Sequence, residues 1–126
     1  MARMNRGFTL IELMVVMAII GLLMAIALPK YHHSLERSRE AVLREDLKVM
    51  RGAIDQFYAD IGRYPRALDE LAERRYLRAI PVDPVTGSEQ TWVVVKPPEG
   101  ISVDGVYDVR SGAPGASLDG SAYESW

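Results

Sequence analysis

Polar positions nearly vanish from one stretch of this chain and then return in a regular rhythm. Between Phe8 and Leu28 the conventionally polar residues are Thr9 and Glu12, and Leu13 to Leu28 are all apolar or glycine. The block is about 21 residues long, close to the ~20 that a helix needs to cross a bilayer. Beyond it Leu35, Leu43, Leu47, Met50, Ile54, Phe57 or Tyr58, and Ile61 recur mainly at spacings of three and four, one apolar stripe on an otherwise charged helix. Pro29 lacks an amide hydrogen and its ring opposes the carbonyl of Ala25, so it kinks the helix without ending it. Ile61-Gly62, followed by Tyr64-Pro65, supplies the stop. The pattern predicts one helix from Phe8 to about residue 61, roughly 80 Å long at 1.5 Å per residue. Its first half, 8–29, suits a hydrophobic surrounding, and its second half is amphipathic. Glu40 with Arg44 and Arg51 with Asp55 stand at i,i+4, each pair worth a few tenths of a kcal/mol.

A shorter helical pattern occupies 66–78, with Leu68, Leu71, Ala72 and Leu77 facing one way. Ile80-Pro81-Val82-Asp83-Pro84 breaks it. Five of the seven prolines and six of the ten glycines lie between Pro81 and Trp126, so residues 81–126 are turns and short strands. Thr91 to Lys96 is the clearest strand, β-branched and aromatic. Ile101–Val103 and Val106–Val109 are expected as further strands, joined by the Asp104-Gly105 signal of a two-residue hairpin. The expected fold is therefore α+β: a long N-terminal helix packed on a small antiparallel sheet.

Composition narrows the function. The 126 residues include 15 Lys and Arg against 17 Asp and Glu, a balance that excludes a generally basic nucleic-acid binder. With the apolar block removed, fewer than a hundred residues remain. A domain of that size buries only about 60–65% of its unfolded surface, leaving little room for a deep catalytic pocket. The chain has no cysteine, which removes disulfides, thiolate zinc sites and cysteine nucleophiles. Ser111, Ser117, Ser121 and Ser125 have no histidine beyond residue 33 to activate them, so a serine hydrolase is not expected. Between Lys30 and Arg78, eleven bases alternate with nine acids, the pattern of a salt-bridged helix surface and not of a phosphate-binding face. A membrane-anchored structural or binding protein is favoured over an enzyme.

Arg3 and Arg6 precede the apolar block without an acid between them. A secretory signal has a shorter apolar stretch and small residues at its exit, whereas this block leaves through Leu28-Pro29-Lys30. A spanning helix fits better, with the N-terminus cytoplasmic and residues from Lys30 onward across the membrane. Glu12 then needs explaining, because a carboxylate inside a spanning helix costs on the order of 2–3 kcal/mol. Either it lies shallow enough to reach the interface or is protonated, or it meets a positive partner in an assembled state. An N-terminal amine created by cleavage near Gly7-Phe8 is such a partner.

Arg6-Gly7-Phe8-Thr9-Leu10-Ile11-Glu12-Leu13, then Met14-Val15-Val16 and the apolar run to Leu28-Pro29, resembles the class III signal of type IV pilins and pseudopilins. The resemblance implies a leader, 1–7, cut between Gly7 and Phe8 by a prepilin peptidase, N-methylation of Phe8, and assembly into a filament. It implies that Glu12 pairs with the amine of Phe8 on a neighbouring subunit. It makes 8–29 the transmembrane and filament-core helix and 30–126 a pilin-like periplasmic head. Gly21 and Pro29, both helix-weakening, are expected to let the segment bend as it leaves lipid for protein.

Tyr64-Pro65, Leu68, Leu71, Tyr76-Leu77, Ile80-Pro81, Asp83-Pro84, Gly87 and Trp92 are similar to the G-type major pseudopilin of type II secretion systems. So are Tyr107-Asp108-Val109, Ser111-Gly112, Asp119-Gly120 and Trp126. That resemblance implies a homopolymer working with minor pseudopilins, a prepilin peptidase/methyltransferase, and an inner-membrane assembly platform with a separate ATPase. It implies that the short filament drives export of folded periplasmic proteins. Alternatives remain a type IV pilin or minor pilin for adhesion, motility or DNA uptake, and an anchored periplasmic ligand-binding module.

Two candidate metal features stand out. His32-His33 are adjacent, so in a helix they point about 100° apart and chelate one ion poorly; with Lys30 and Tyr31 they mark an interface. Residues 83–126 carry seven acids and two bases, read either as a solvated acidic surface with Asp-Gly turns or as a calcium site. The resemblance implies calcium in the C-terminal loop, with Asp108 and Asp119 as the positions carried over. This loop is short, however, and Ala113-Pro114-Gly115-Ala116 stands where more acids are expected. No other cofactor is implied.

Overall fold

The computed structural model describes residues 7–101 and 104–126. Arg3 and Arg6 of the expected leader, and Ser102 and Val103 of the expected second strand, lie outside the described residues. Helix α1 runs Leu10–Ile61, helix α2 Leu68–Glu73, strand β1 Trp92–Val95 and strand β2 Asp108–Ser111, with a 3₁₀ turn at Tyr123–Ser125. The chain divides into two units, Met1–Leu35 and Glu36–Trp126.

In the first unit α1 continues through Gly21 and Pro29 without a break. Its large apolar side chains all stand exposed, from Leu10 at 75% to Leu28 at 50%, as does Phe8 just before it at 86%. This helix is long and apolar enough to cross a membrane, and none of its most apolar window is buried.

The second unit contains the core. Leu43, Leu47, Met50, Ala53, Ile54 and Phe57 of α1 pack with Leu71, Leu77, Trp92, Val106 and Val109. The helical stripe predicted from spacing is therefore the buried face, with two adjustments. Phe57 is buried while Tyr58 is exposed, and Leu35, at 38% exposure, lies outside the core. Tyr58 instead stacks on Tyr64 at 4.5 Å between ring centroids, and Tyr64 meets Tyr107 edge-on at 5.3 Å. The two expected i,i+4 ion pairs give way to partners far along the chain. Arg44 reaches Asp119 and Arg51 reaches Asp108.

Helix α2 is shorter than the 66–78 pattern suggested, and its C-terminal geometry gives the reason. The Tyr76 amide donates to the Leu71 carbonyl at 2.8 Å and the Arg75 amide to the Ala72 carbonyl at 3.2 Å. This is a Schellman closure, in which the chain turns through a left-handed residue. That residue is Arg75, φ 65°. Leu77 still reaches the core, but from the turn after the helix. At the other end Ala67 offers no side-chain cap. Glu70 takes over, accepting from the Arg66 amide at 2.8 Å and from Arg63 Nη2 at 2.6 Å.

The sheet has two strands, antiparallel, with Trp92 opposite Ser111 and Val95 opposite Asp108. Strand β1 matches the sequence expectation. Of the predicted hairpin about Asp104-Gly105, Ser102 and Val103 lie outside the described residues. Ile101 lies in a turn, and the later strand begins at Asp108 and pairs with β1. Gly105 serves a close approach between segments. Its φ is +128°, and a Cβ there would lie 2.8 Å from the Tyr64 Cβ and 3.1 Å from the Pro65 carbonyl oxygen. Its lack of a side chain lets Val106 donate its amide to that same carbonyl at 2.7 Å, docking the strand approach against the end of α1.

Candidate functional site: the N-terminal segment and the C-terminal loop

The first site is the start of α1. Thr9 is the N-cap: its Oγ1 accepts the Glu12 amide at 3.2 Å, and Glu12 Oε2 accepts the Thr9 amide at 3.0 Å. This reciprocal pair is a capping box, which satisfies two of the four donors left open at a helix start. Thr9-x-x-Glu12 before an apolar run is the sequence signature of such a box, one that a reading of Glu12 by its charge alone passes over. The capping box gives Glu12 a role within its own helix and supplies a local partner for the acid. Phe8 stands beside it, exposed, with Gly7 preceding.

The second site is the C-terminal loop. Asp108 Oδ1 accepts Arg51 Nε at 2.8 Å and its own strand's Val109 amide at 2.7 Å. Asp119 Oδ1 accepts the Ser121 amide at 2.9 Å, the Ser121 hydroxyl at 2.6 Å and the Ser117 hydroxyl. These hydroxyl and amide donors, with Arg44 nearby, hold the Asp119 carboxyl well below the usual carboxylate range. The structure thus places Asp108 and Asp119 in separate hydrogen-bonded settings. Among the described residues no group of three or more His, Asp or Glu side chains could hold a metal. With a guanidinium against Asp108 and three donors on one oxygen of Asp119, this donor set does not fit calcium.

A buried acid that spacing did not single out as a site organises the turn ahead of β1. Asp83 is fully buried. Its Oδ1 accepts the amides of Val85 at 2.8 Å and Thr86 at 3.3 Å, and its Oδ2 accepts the Ser111 hydroxyl at 2.6 Å. Trp92 Nε1 donates to the Pro81 carbonyl at 2.8 Å. Ile80-Pro81, Asp83-Pro84, Gly87 and Trp92 therefore form one clasp between the loop and the sheet.

Residues 2–28 match the family described as prokaryotic N-terminal methylation motif. The type II secretion system core protein G of Escherichia coli is 30% identical over 130 aligned positions, covering 90% of this chain and 85% of that protein. The core protein G of Pseudomonas aeruginosa is 32% identical over 98, covering 65% and 69%. This chain belongs to the core protein G family, a pilin-like pseudopilin of the G type. The type IV major pilin protein PilA of Myxococcus xanthus is 43% identical over 67 residues, which is 53% of this chain and 30% of that pilin. No solved structure matches. The relatives of this pseudopilin are structural pilin and pseudopilin subunits, not enzymes, and it is likewise a structural subunit. Its single N-terminal apolar helix fits a single-pass inner-membrane protein.

Proposed function

We propose that this pseudopilin polymerises through its N-terminal helix into a type II secretion pseudopilus that drives export of folded periplasmic proteins. The observation that carries the reading is the stretch of α1 up to Leu28, apolar over its whole circumference with its large side chains exposed, and bearing one carboxylate at its start. An apolar surface of that extent needs either lipid or copies of itself. Before assembly it spans the inner membrane with the N-terminus cytoplasmic and the head periplasmic. A prepilin peptidase/methyltransferase cuts between Gly7 and Phe8 and methylates Phe8. An inner-membrane platform with its own ATPase then extracts the subunit, and minor pseudopilins join the same filament.

In the filament Glu12 faces the Phe8 amine of a neighbouring subunit. Its Oε2 already serves the Thr9 amide, which leaves Oε1 to take the amine. Gly21 and Pro29 let the helix bend during transfer from lipid to fibre. The alignment with core protein G over 90% of this chain, against 53% with the pilin, supports secretion over a type IV pilus.

The test is intact mass of the protein from native membranes, paired with secretion by a Glu12→Leu variant. Loss of residues 1–7 with one added methyl group, and loss of filaments and secretion in the variant, are expected. An unprocessed N-terminus, or normal assembly with leucine at 12, would sink the reading.

A further inference from the structure

Glu40, Arg44, Leu47 and Arg51 follow one another on α1 at spacings of four, three and four, so they share one face. That face is where the C-terminal segment lands. Glu40 Oε1 accepts the Leu118 amide at 2.7 Å and the Tyr123 hydroxyl at 3.1 Å. Arg44 lies over the Trp126 ring at 4.3 Å and reaches Asp119 at 3.5 Å. Arg51 sends Nε to Asp108 and Nη2 to both the Val109 carbonyl, at 3.0 Å, and the Trp126 main-chain oxygen. A guanidinium is a rigid fork of donors, and here one fork gathers oxygens from β2 and from the last turn.

These are the oxygens that a hard cation would collect. Calcium needs six to eight oxygen ligands, but Asp108 already faces a fixed positive charge. The loop beyond it is closed by its own bonds. The Ser117 amide donates to the Ser121 carbonyl at 2.8 Å, Ala116 and Ala122 form a bridge, and Asp119 is filled by Ser117 and Ser121. We propose that Arg51, flanked by Arg44 and Glu40, closes the C-terminal loop in place of a divalent cation, so that this head holds its fold without calcium.

Two measurements on the full chain in detergent micelles test this. Thermal unfolding of the unaltered protein is compared in millimolar calcium and in excess chelator. The midpoints are expected to coincide; a midpoint that rises with calcium and falls with chelator overturns the proposal. Trypsin cleavage after Arg110, within β2, reads opening of the loop directly. Arg51→Met is expected to speed that cleavage roughly tenfold, with Arg51→Lys intermediate because it keeps the charge and loses the fork. Cleavage unchanged in both variants would show that the arginine closes nothing. Should Arg51→Met fail to fold, Arg51→Lys and the calcium comparison still decide.

Discussion

Asp83 ties two segments of the head together, because a fully buried carboxylate satisfies three donors from both. Asp83→Ala leaves the Val85 and Thr86 amides and the Ser111 hydroxyl without their acceptor. It should cost about 3 kcal/mol, measurable by urea unfolding. Asp46 has the opposite character. Burial, then the charges of Asp83 and Glu45, raise its pKa above the ordinary value. The folded state therefore holds the Asp46 proton more tightly than the unfolded state does. Stability falls as pH rises from the ordinary carboxylate value through the raised one. Asp46→Asn should raise the melting temperature at pH 7 and give no gain near pH 3, and equal shifts at both pH values would contradict this assignment. The sequence shows Asp83 beside Pro84, a turn signal, but the hydroxyl it receives comes from 28 positions away. No local pattern carries that information. Thr9-x-x-Glu12, by contrast, is a local pair, legible once the helix start is placed between Gly7 and Leu10.

Among the elements, α1 was the most legible, since its apolar block and its stripe repeat for fifty residues. The sheet was legible only in β1. The later strand slipped because Asp104-Gly105 has the composition of a hairpin turn, whereas Gly105 is glycine to let Tyr64 and Pro65 approach. Steric demand from a distant segment and local turn chemistry select the same residue. Helix α2 was overextended because Leu77 keeps the helical phase while the backbone has already reversed at Arg75. An L side chain in the left-handed region is disfavoured by roughly 1 kcal/mol, and glycine is the usual residue at this position of a Schellman closure. Arg75→Gly should thus stabilise the head by about 0.5–1 kcal/mol, read as a higher denaturation midpoint at unchanged slope. A loss of stability would mean that the Arg75 side chain makes a contribution larger than its backbone strain.

For the whole molecule, the buried core and the exposed apolar surface reside in different stretches of chain. The buried hydrophobic core residues run from Leu43 to Ala113, all within the second unit, while the exposed apolar stretch of α1 up to Leu28 supplies none of them. A fragment comprising 36–126 should accordingly unfold in one cooperative transition without detergent; a broad, gradual melt would show that the core needs the N-terminal segment. The calcium expectation at Asp108 and Asp119 came from family likeness. The arginines that meet those acids were read in the sequence as partners of Glu40 and Asp55, because i,i+4 neighbours are visible there and tertiary ones are not.

The bonds from α1 to the final segment join residues 57 to 83 positions apart. Contacts of such separation form late, after the loop between them has closed. Helix α1 is synthesised before the strands, and its apolar stripe waits uncovered until the strands and the turn at Tyr123–Ser125 have followed it. A subunit stalled part-way through synthesis would expose that stripe to any chain nearby. The order of the sequence thus makes completion of the head a late event in synthesis, and sets a window in which a chaperone or protease can tell a finished subunit from an unfinished one.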